Sequence, residues 1–184
     1  MSLSTVAAII VQTPKVFSWL GHMPVMTWSL NQLLEVRGVD RIVCVAVPDL
    51  AARAGRILVK DEIEVTTIPD NVKDQTTLHK WLCAANGPAA TADVLVAIKP
   101  TAPFLPSAKI EACLHKVKRC KNCDHCTLHR YATVDSLQVF KVQAVIESVA
   151  LQRAAVPVSL IESLDVTDPE GLRVATALVV SGTA

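Results

Sequence analysis

The chain has 184 residues, 51% of them hydrophobic and 19% charged, enough for one domain of ordinary size with a substantial core, which excludes a disordered chain. Eighteen basic against seventeen acidic residues leave a formal charge of +1, too even a balance for a protein whose main partner is nucleic acid or an anionic membrane. With three Trp, three Phe and one Tyr, the core must come mostly from Val, Leu, Ile and Ala, the usual filling of a parallel sheet covered by helices.

Short runs rich in Val and Ile alternate with segments of helical period, the pattern of βαβ units. A strand is predicted at Thr5–Gln12, a helix at Pro24–Arg37, a strand at Arg41–Val47 and a helix at Leu50–Val59. A strand at Ile63–Ile68, a helix at Gln75–Asn86 and a strand at Asp93–Lys99 follow. Pro106 and Ser107 then open a helix over Ser107–Arg119, whose apolar stripe is Ile110, Cys113, Leu114 and Val117. Strands at His125–Tyr131 and Leu137–Val142 succeed one another with no helix between them, so one of them is expected to run antiparallel. The chain closes with a helix at Val142–Arg153, a strand at Val156–Ile161 and a helix at Pro169–Val180, the last opened by an Asp168 N-cap and a proline at the first helical position. The expected architecture is α/β: a mostly parallel sheet with an antiparallel strand, one domain over residues 1–184. In such sheets ligands sit beyond the carboxyl ends of the strands, which directs attention to the loops after Gln12, Val47 and Lys99.

The longest uncharged stretch, Val16–Leu34, is interrupted by Gly21, His22, Pro24, Asn31 and Gln32, so no membrane span is expected. Met1–Pro14 has no basic residue ahead of its apolar centre and does not read as a secretory signal. A cytoplasmic protein with reduced thiols is the expectation.

Neither G-x-G-x-x-G after the first strand nor G-x-x-x-x-G-K-[ST] occurs, and the loop Gln12-Thr13-Pro14-Lys15 offers one cation. There is no G-x-S-x-G elbow and no H-E-x-x-H helix. His79, next to Lys80, reads as a solvated surface residue. Cys113, His115, Cys120, Cys123, His125, Cys126 and His129 crowd one segment. Cys120, Cys123, Cys126 and His129 have the donor chemistry of a zinc site, although strand alternation would turn Cys126 and His129 to opposite faces. The plainer reading buries Cys113 and Cys126 and exposes Cys120 and Cys123. Lys116, Lys118, Arg119, Lys121 and Arg130 read as a solvated basic helix end that complements the helix dipole.

A-D-V-L-V-A-I-K-P-T-A-P at Ala92–Pro103 resembles the D-[IV]-[IV]-V-x-L-Q-P-T-S-P strand and loop of the CMP-sugar synthetases, the acylneuraminate and 3-deoxy-manno-octulosonate cytidylyltransferase family. Lys15–Leu30 is similar to its K-N-[IL]-x-x-L-x-G-K-P-L-I-x-W-[ST]-I, and Val39–Val47 to its V-D-x-[VI]-x-V-S-T-D strand. Leu137–Val142 resembles its [AI]-x-Y-x-F-[KR] strand, and Asp165–Leu172 its D-[IV]-D-[TS]-P-E-D-L. The resemblance implies a nucleotide-diphospho-sugar transferase fold, a three-layer α/β/α sandwich, and transfer of CMP from CTP to a sugar acid with Mg²⁺. It would place Lys15 at the triphosphate with Gln12 and Thr13 in the same loop, Lys99 and Thr101 on the base or sugar side, and Asp165 on Mg²⁺. The chain departs from the pattern at Met23, Val47, Lys99 and Thr167, where the family has Lys, Asp, Gln and Asp, and it is short at Tyr131–Ser136, where the family inserts a segment for sugar recognition and a dimer arm. A divergent member with a reduced site is therefore expected; a non-catalytic nucleotide-binding or interaction module, a zinc-stabilised or redox-sensing protein, and a homodimer stay open.

Overall fold

The central strand β1 (Thr5–Val11) is buried along its whole length because both faces are apolar: Ala7, Ile9 and Val11 face one layer, Val6, Ala8 and Ile10 the other. The computed structural model describes residues 3–58, 63–130, 133–148 and 151–182. After β1 come a 3₁₀ turn at Pro14–Phe17, a short ribbon of β2 (Trp19–Leu20) and β3 (Met23–Pro24), and α1 (Val25–Leu34). Next in order are β4 (Arg41–Ala46), α2 (Pro48–Leu58), β5 (Glu64–Thr67), α3 (Gln75–Cys83), β6 (Val94–Ile98) and α4 (Ser107–Arg119). The chain then runs through β7 (His125–His129), β8 (Thr133–Lys141), α5 (Val142–Glu147), β9 (Arg153–Pro157) and α6 (Pro169–Val180).

Seven strands form one sheet in the order β5-β4-β1-β6-β8-β7-β9. All neighbours are parallel except β8, which runs antiparallel to β6 and β7, as the two consecutive strands predict. The register aligns the carboxyl ends of β1, β4 and β6: Val11 lies opposite Ala46, and Ile9 opposite Ile98. The chain builds outward from β1 to β4 and β5, then crosses to β6 on the other side. The gap between the ends of β1 and β6 is thus the topological switch point, where open α/β sheets leave a crevice.

Helices cover both faces, giving three layers. On one side Met26, Leu30 and Leu33 of α1, Ala54 and Leu58 of α2, and the expected stripe of α4 join the β1 face that carries Ile9. On the other, Leu78, Leu82 and Cys83 of α3 and Val142 and Val145 of α5 pack on Ile10, Leu95 and Phe140. α6 closes a smaller cluster in which Val166 and Ala175 meet Leu20 and Val25. Among the described residues, no helix is long and apolar enough to cross a membrane.

α4 and α6 begin and end as predicted, whereas α1, α3 and α5 are shorter. α5 stops at Glu147 because Ser148 adopts a left-handed conformation, φ 54°, which breaks the run of helical hydrogen bonds. The last strand consequently starts earlier, at Arg153, and Leu160 and Ile161 fall in an exposed turn held by reciprocal hydrogen bonds between Ser159 and Glu162. The expected ends at Val59 and Tyr131 lie outside the described residues.

Candidate functional site

Lys15, Thr101 and Asp165 come from three separate parts of the chain and meet at the switch point. Thr13 caps the turn after β1, its Oγ1 accepting the Lys15 N–H at 3.4 Å, so Lys15 is carried on a short 3₁₀ turn over the end of β1. Its ammonium donates to the Thr167 carbonyl. Gln12 is exposed at the same strand end. Beyond β6, the Lys99 N–H donates to the Ser136 carbonyl at 2.8 Å and the Thr101 N–H to the Lys99 carbonyl at 2.8 Å, a tight turn that aims Thr101 back over the sheet. The Thr101 carbonyl accepts the Val166 N–H at 2.9 Å, tying the loop before α6 to the β6 end.

Asp165 is held at both oxygens. Oδ2 accepts the Thr101 hydroxyl at 3.2 Å and Oδ1 the Thr167 N–H at 2.7 Å. Asp168 is occupied as the α6 N-cap, accepting the Gly171 N–H at 2.7 Å. Gly171 is required: a Cβ there would stand 1.9 Å from the Asp165 carbonyl oxygen. This loop therefore rests directly on the first turn of α6.

Lys99 follows the end of β6, and its positive charge acts on His79 of α3. His79 corrects an expectation, being 7% exposed rather than solvated, because it lies on the buried side of α3 with Leu78 and Leu82. Its ring lies 4.6 Å from that of Phe140, and His125 of β7 stacks on Phe140 at 4.3 Å with 7° between planes. Burial pushes both imidazoles down to about 4, helped by His125 and Lys99 for His79 and by Arg153 for His125. Sequence reasoning missed this pair because nothing local marks it; the link is the β7–β8 register that sets His125 opposite Phe140.

The cysteine segment divides. Cys113 and Cys126 are buried as expected and share a hydrogen bond between α4 and β7, but Cys123 is also buried and only Cys120 is exposed. The hydrogen bond with Cys126, together with burial, raises the Cys113 thiol, and the same bond lowers Cys126. Cys120 ends α4 while His129 is exposed at the end of β7, so the proposed zinc ligands Cys120, Cys123, Cys126 and His129 are not brought to one point. Among the described residues no group of three or more His, Cys, Asp or Glu is placed to hold a metal. All six cysteines are free thiols. The basic helix end is partly tied down rather than simply solvated: Lys116 donates to the Ala155 carbonyl at 3.1 Å and Lys118 to the Gly38 carbonyl at 3.0 Å.

The topology defines a three-layer α/β protein with a polar cluster at its switch point. The chain is similar to solved cytidylyltransferase structures over nearly its full length. 4-diphosphocytidyl-2C-methyl-D-erythritol synthase from Anaerococcus prevotii superposes with a TM-score of 0.78 at 12% identity, covering 98% of this chain and 100% of that one. CMP:2-keto-3-deoxy-manno-octonic acid synthetase, solved with CTP, gives 0.76 at 11% identity over 97% and 99%. A cytidylyltransferase from Leptospira borgpetersenii gives 0.72 at 12% identity over 98% and 87%. No protein-family profile matches the chain, and no curated protein sequence matches it. The fold is that of the cytidylyltransferases.

Proposed function

We propose that this protein binds CTP across the ends of β1 and β6 and that its transfer of CMP to a sugar acid is very slow or absent. The observation that carries the reading is the meeting of Lys15, Thr101 and Asp165 at the topological switch point. Lys15 is an exposed cation on a short turn, able to leave the Thr167 carbonyl for a phosphate oxygen. Gln12 and Thr13 flank it. Thr101 positions the Asp165 carboxylate.

The residues present do not fit a Mg²⁺ site. That ion asks for more than one carboxylate, whereas Asp168 is committed to its cap and Thr167 stands where the resembling family has a second Asp, which leaves Asp165 as the carboxylate of this loop. Transfer of a nucleotidyl group needs preorganised positive charge on the phosphate under attack and on the leaving pyrophosphate. Of the residues that meet at the switch point, Lys15 is the one cation. Losing one well-placed donor costs about 100- to 1000-fold in rate, so several such losses remove most of the catalysis while leaving binding.

The test is calorimetric titration with CTP alongside pyrophosphate release from CTP, Mg²⁺ and a set of 3-deoxy sugar acids. The expected result is saturable CTP binding, weakened about tenfold or more in Lys15→Ala, with no pyrophosphate above background. Robust turnover that disappears in Lys15→Ala and Asp165→Ala would show that the short loop suffices for transfer. No CTP binding at all would reject the nucleotide reading in favour of an interaction module.

A further inference from the structure

The turn that ends α4 sets two thiols of unequal exposure close together. Cys120 is the C-cap of the helix, and the N–H of Cys123 donates to the Cys120 carbonyl at 3.3 Å. That bond closes a four-residue turn, and such turns hold their end Cα atoms within about 7 Å of each other. A disulfide asks for about 4.4–6.8 Å between Cα atoms, so the backbone can be bridged with little rearrangement. Lys141 at the end of β8 fixes the turn in place. Its ammonium donates to the Cys120 carbonyl at 3.4 Å, to the Lys121 carbonyl at 3.1 Å and to the Asp124 carboxylate at 3.1 Å.

The two thiols differ in what can reach them. Cys120, Lys121 and Asn122 are exposed, whereas Cys123 is buried and its thiol donates to the His125 carbonyl at 3.4 Å. Burial pushes the Cys123 thiol up; Cys126 and Cys120 add to the rise, and the His125 bond and the Lys141 charge oppose it. Cys120 stands between Arg119 and Lys121, the open, electropositive surroundings in which a cysteine meets a reagent. Cys113 and Cys126 lie deeper, both thiols directed at the Thr127 carbonyl, at 3.8 and 3.9 Å. Cys44 and Cys83 are buried elsewhere in the two helix–sheet layers. A thiol reagent from solvent therefore meets Cys120 first, and the turn supplies Cys123 as the neighbouring sulfur.

We propose that Cys120 and Cys123 are a thiol pair that exchanges with a low-molecular-weight disulfide, Cys120 attacking it and Cys123 resolving the product. The Cys120 thiolate attacks one sulfur of the small disulfide, which forms a mixed disulfide and releases one small thiolate. The Cys123 sulfur then attacks Cys120 and expels the second small thiolate. Two cysteine thiols are oxidised to one disulfide, the small disulfide is reduced to two thiols, and the two cysteine protons end on those thiols. The proposal rests on this turn and does not depend on the nucleotide reading. In the test, the reduced protein is incubated with oxidised glutathione at about pH 8 and quenched with acid, and its mass and tryptic map are read. The expected product has lost two hydrogens, a change that dithiothreitol reverses, and its Cys120 and Cys123 fragments stay joined although trypsin cuts between them after Lys121. Cys123→Ser should stop with one glutathione on Cys120. Cys120→Ser should react at least about tenfold more slowly, because every other thiol is buried. Should Cys123→Ser not fold, the wild-type map decides alone. A wild-type protein that keeps glutathione on Cys120, that bridges another pair such as Cys113 and Cys126, or that does not react would overturn the pairing.

Discussion

The two polar regions beside β6 handle their groups in opposite ways. At the carboxyl edge, Lys15, Thr101, Asp165 and Asp168 are each engaged in a hydrogen bond, and all but Thr101 are exposed. Under α3, His79 and His125 are buried, and Nε2 of His79 and both ring nitrogens of His125 lack partners among the described residues. An exposed, satisfied cluster contributes little to stability whatever it does for a ligand, because water replaces each lost contact. Buried, unsatisfied groups make folding sensitive to protonation, since charging them inside the protein has no compensating bond. The contrast can be broken or sharpened by experiment.

The largest effect should come from pH. Both histidines titrate near 4 in the folded protein against about 6.5 when unfolded, so the unfolded chain binds more protons between those values. Stability from the neutral rings is complete above about pH 6.5 and is lost as pH falls through 4, by at most about 3 kcal/mol for each ring. Urea unfolding at pH 7, 6, 5 and 4.5 measures it. In His79→Phe and His125→Phe the slope over this window should shrink; an unchanged slope would mean that carboxylates control the acid response.

Next in size is Gly171→Ala. Its Cβ would meet the Asp165 carbonyl oxygen, so either the loop or the first turn of α6 must move. Overpacking of this kind costs about 1–3 kcal/mol. Chemical denaturation should register the loss, and CTP titration should register displacement of Asp165. A stability loss with CTP binding intact would separate the Asp165 loop from the nucleotide site. Removing the α6 cap by Asp168→Ala should cost about 1 kcal/mol and leave His79 and His125 at their wild-type NMR positions.

Much of this was legible in the sequence. Ser107–Arg119 and Pro169–Val180 are fixed by signals a few residues long, an apolar stripe in one and an Asp-Pro cap in the other, so their limits agree with the structure. The end of α5 rests on the left-handed Ser148, which serine does not announce, and the strand after it was placed too late for that reason. Lys15 and Asp165 could be paired only through the family resemblance, since 150 positions separate them and Thr101 mediates between loops. His79 could not be read as buried, because a helix beside one lysine gives no sign of which face a partner strand will cover; only the pairing of β8 with β6 and β7 brings Phe140 beneath it.

The smallest effect tests how the edge cluster treats a metal ion. Thr101 is buried, and its hydroxyl donates to Asp165 Oδ2, which belongs to an exposed carboxylate. Thr101→Val deletes the donor while nearly keeping the shape, and water can take its place at Asp165, so the stability loss should be about 1 kcal/mol or less. What distinguishes the readings is the Mg²⁺ dependence of CTP affinity. With Asp165 as the one carboxylate of its loop not used in a cap, wild-type affinity should change by no more than about threefold when Mg²⁺ is removed, because one carboxylate adds little to an ion already held by the nucleotide's own phosphates. In Thr101→Val, Oδ2 is released and the Mg²⁺ effect should grow. If instead wild-type CTP binding depends strongly on Mg²⁺ and Thr101→Val abolishes that dependence, the hydroxyl is orienting Asp165 toward the ion. The edge of β6 would then be a working metal site despite its missing second carboxylate, and its satisfied hydrogen bonds would be preparation for a ligand rather than a substitute for one.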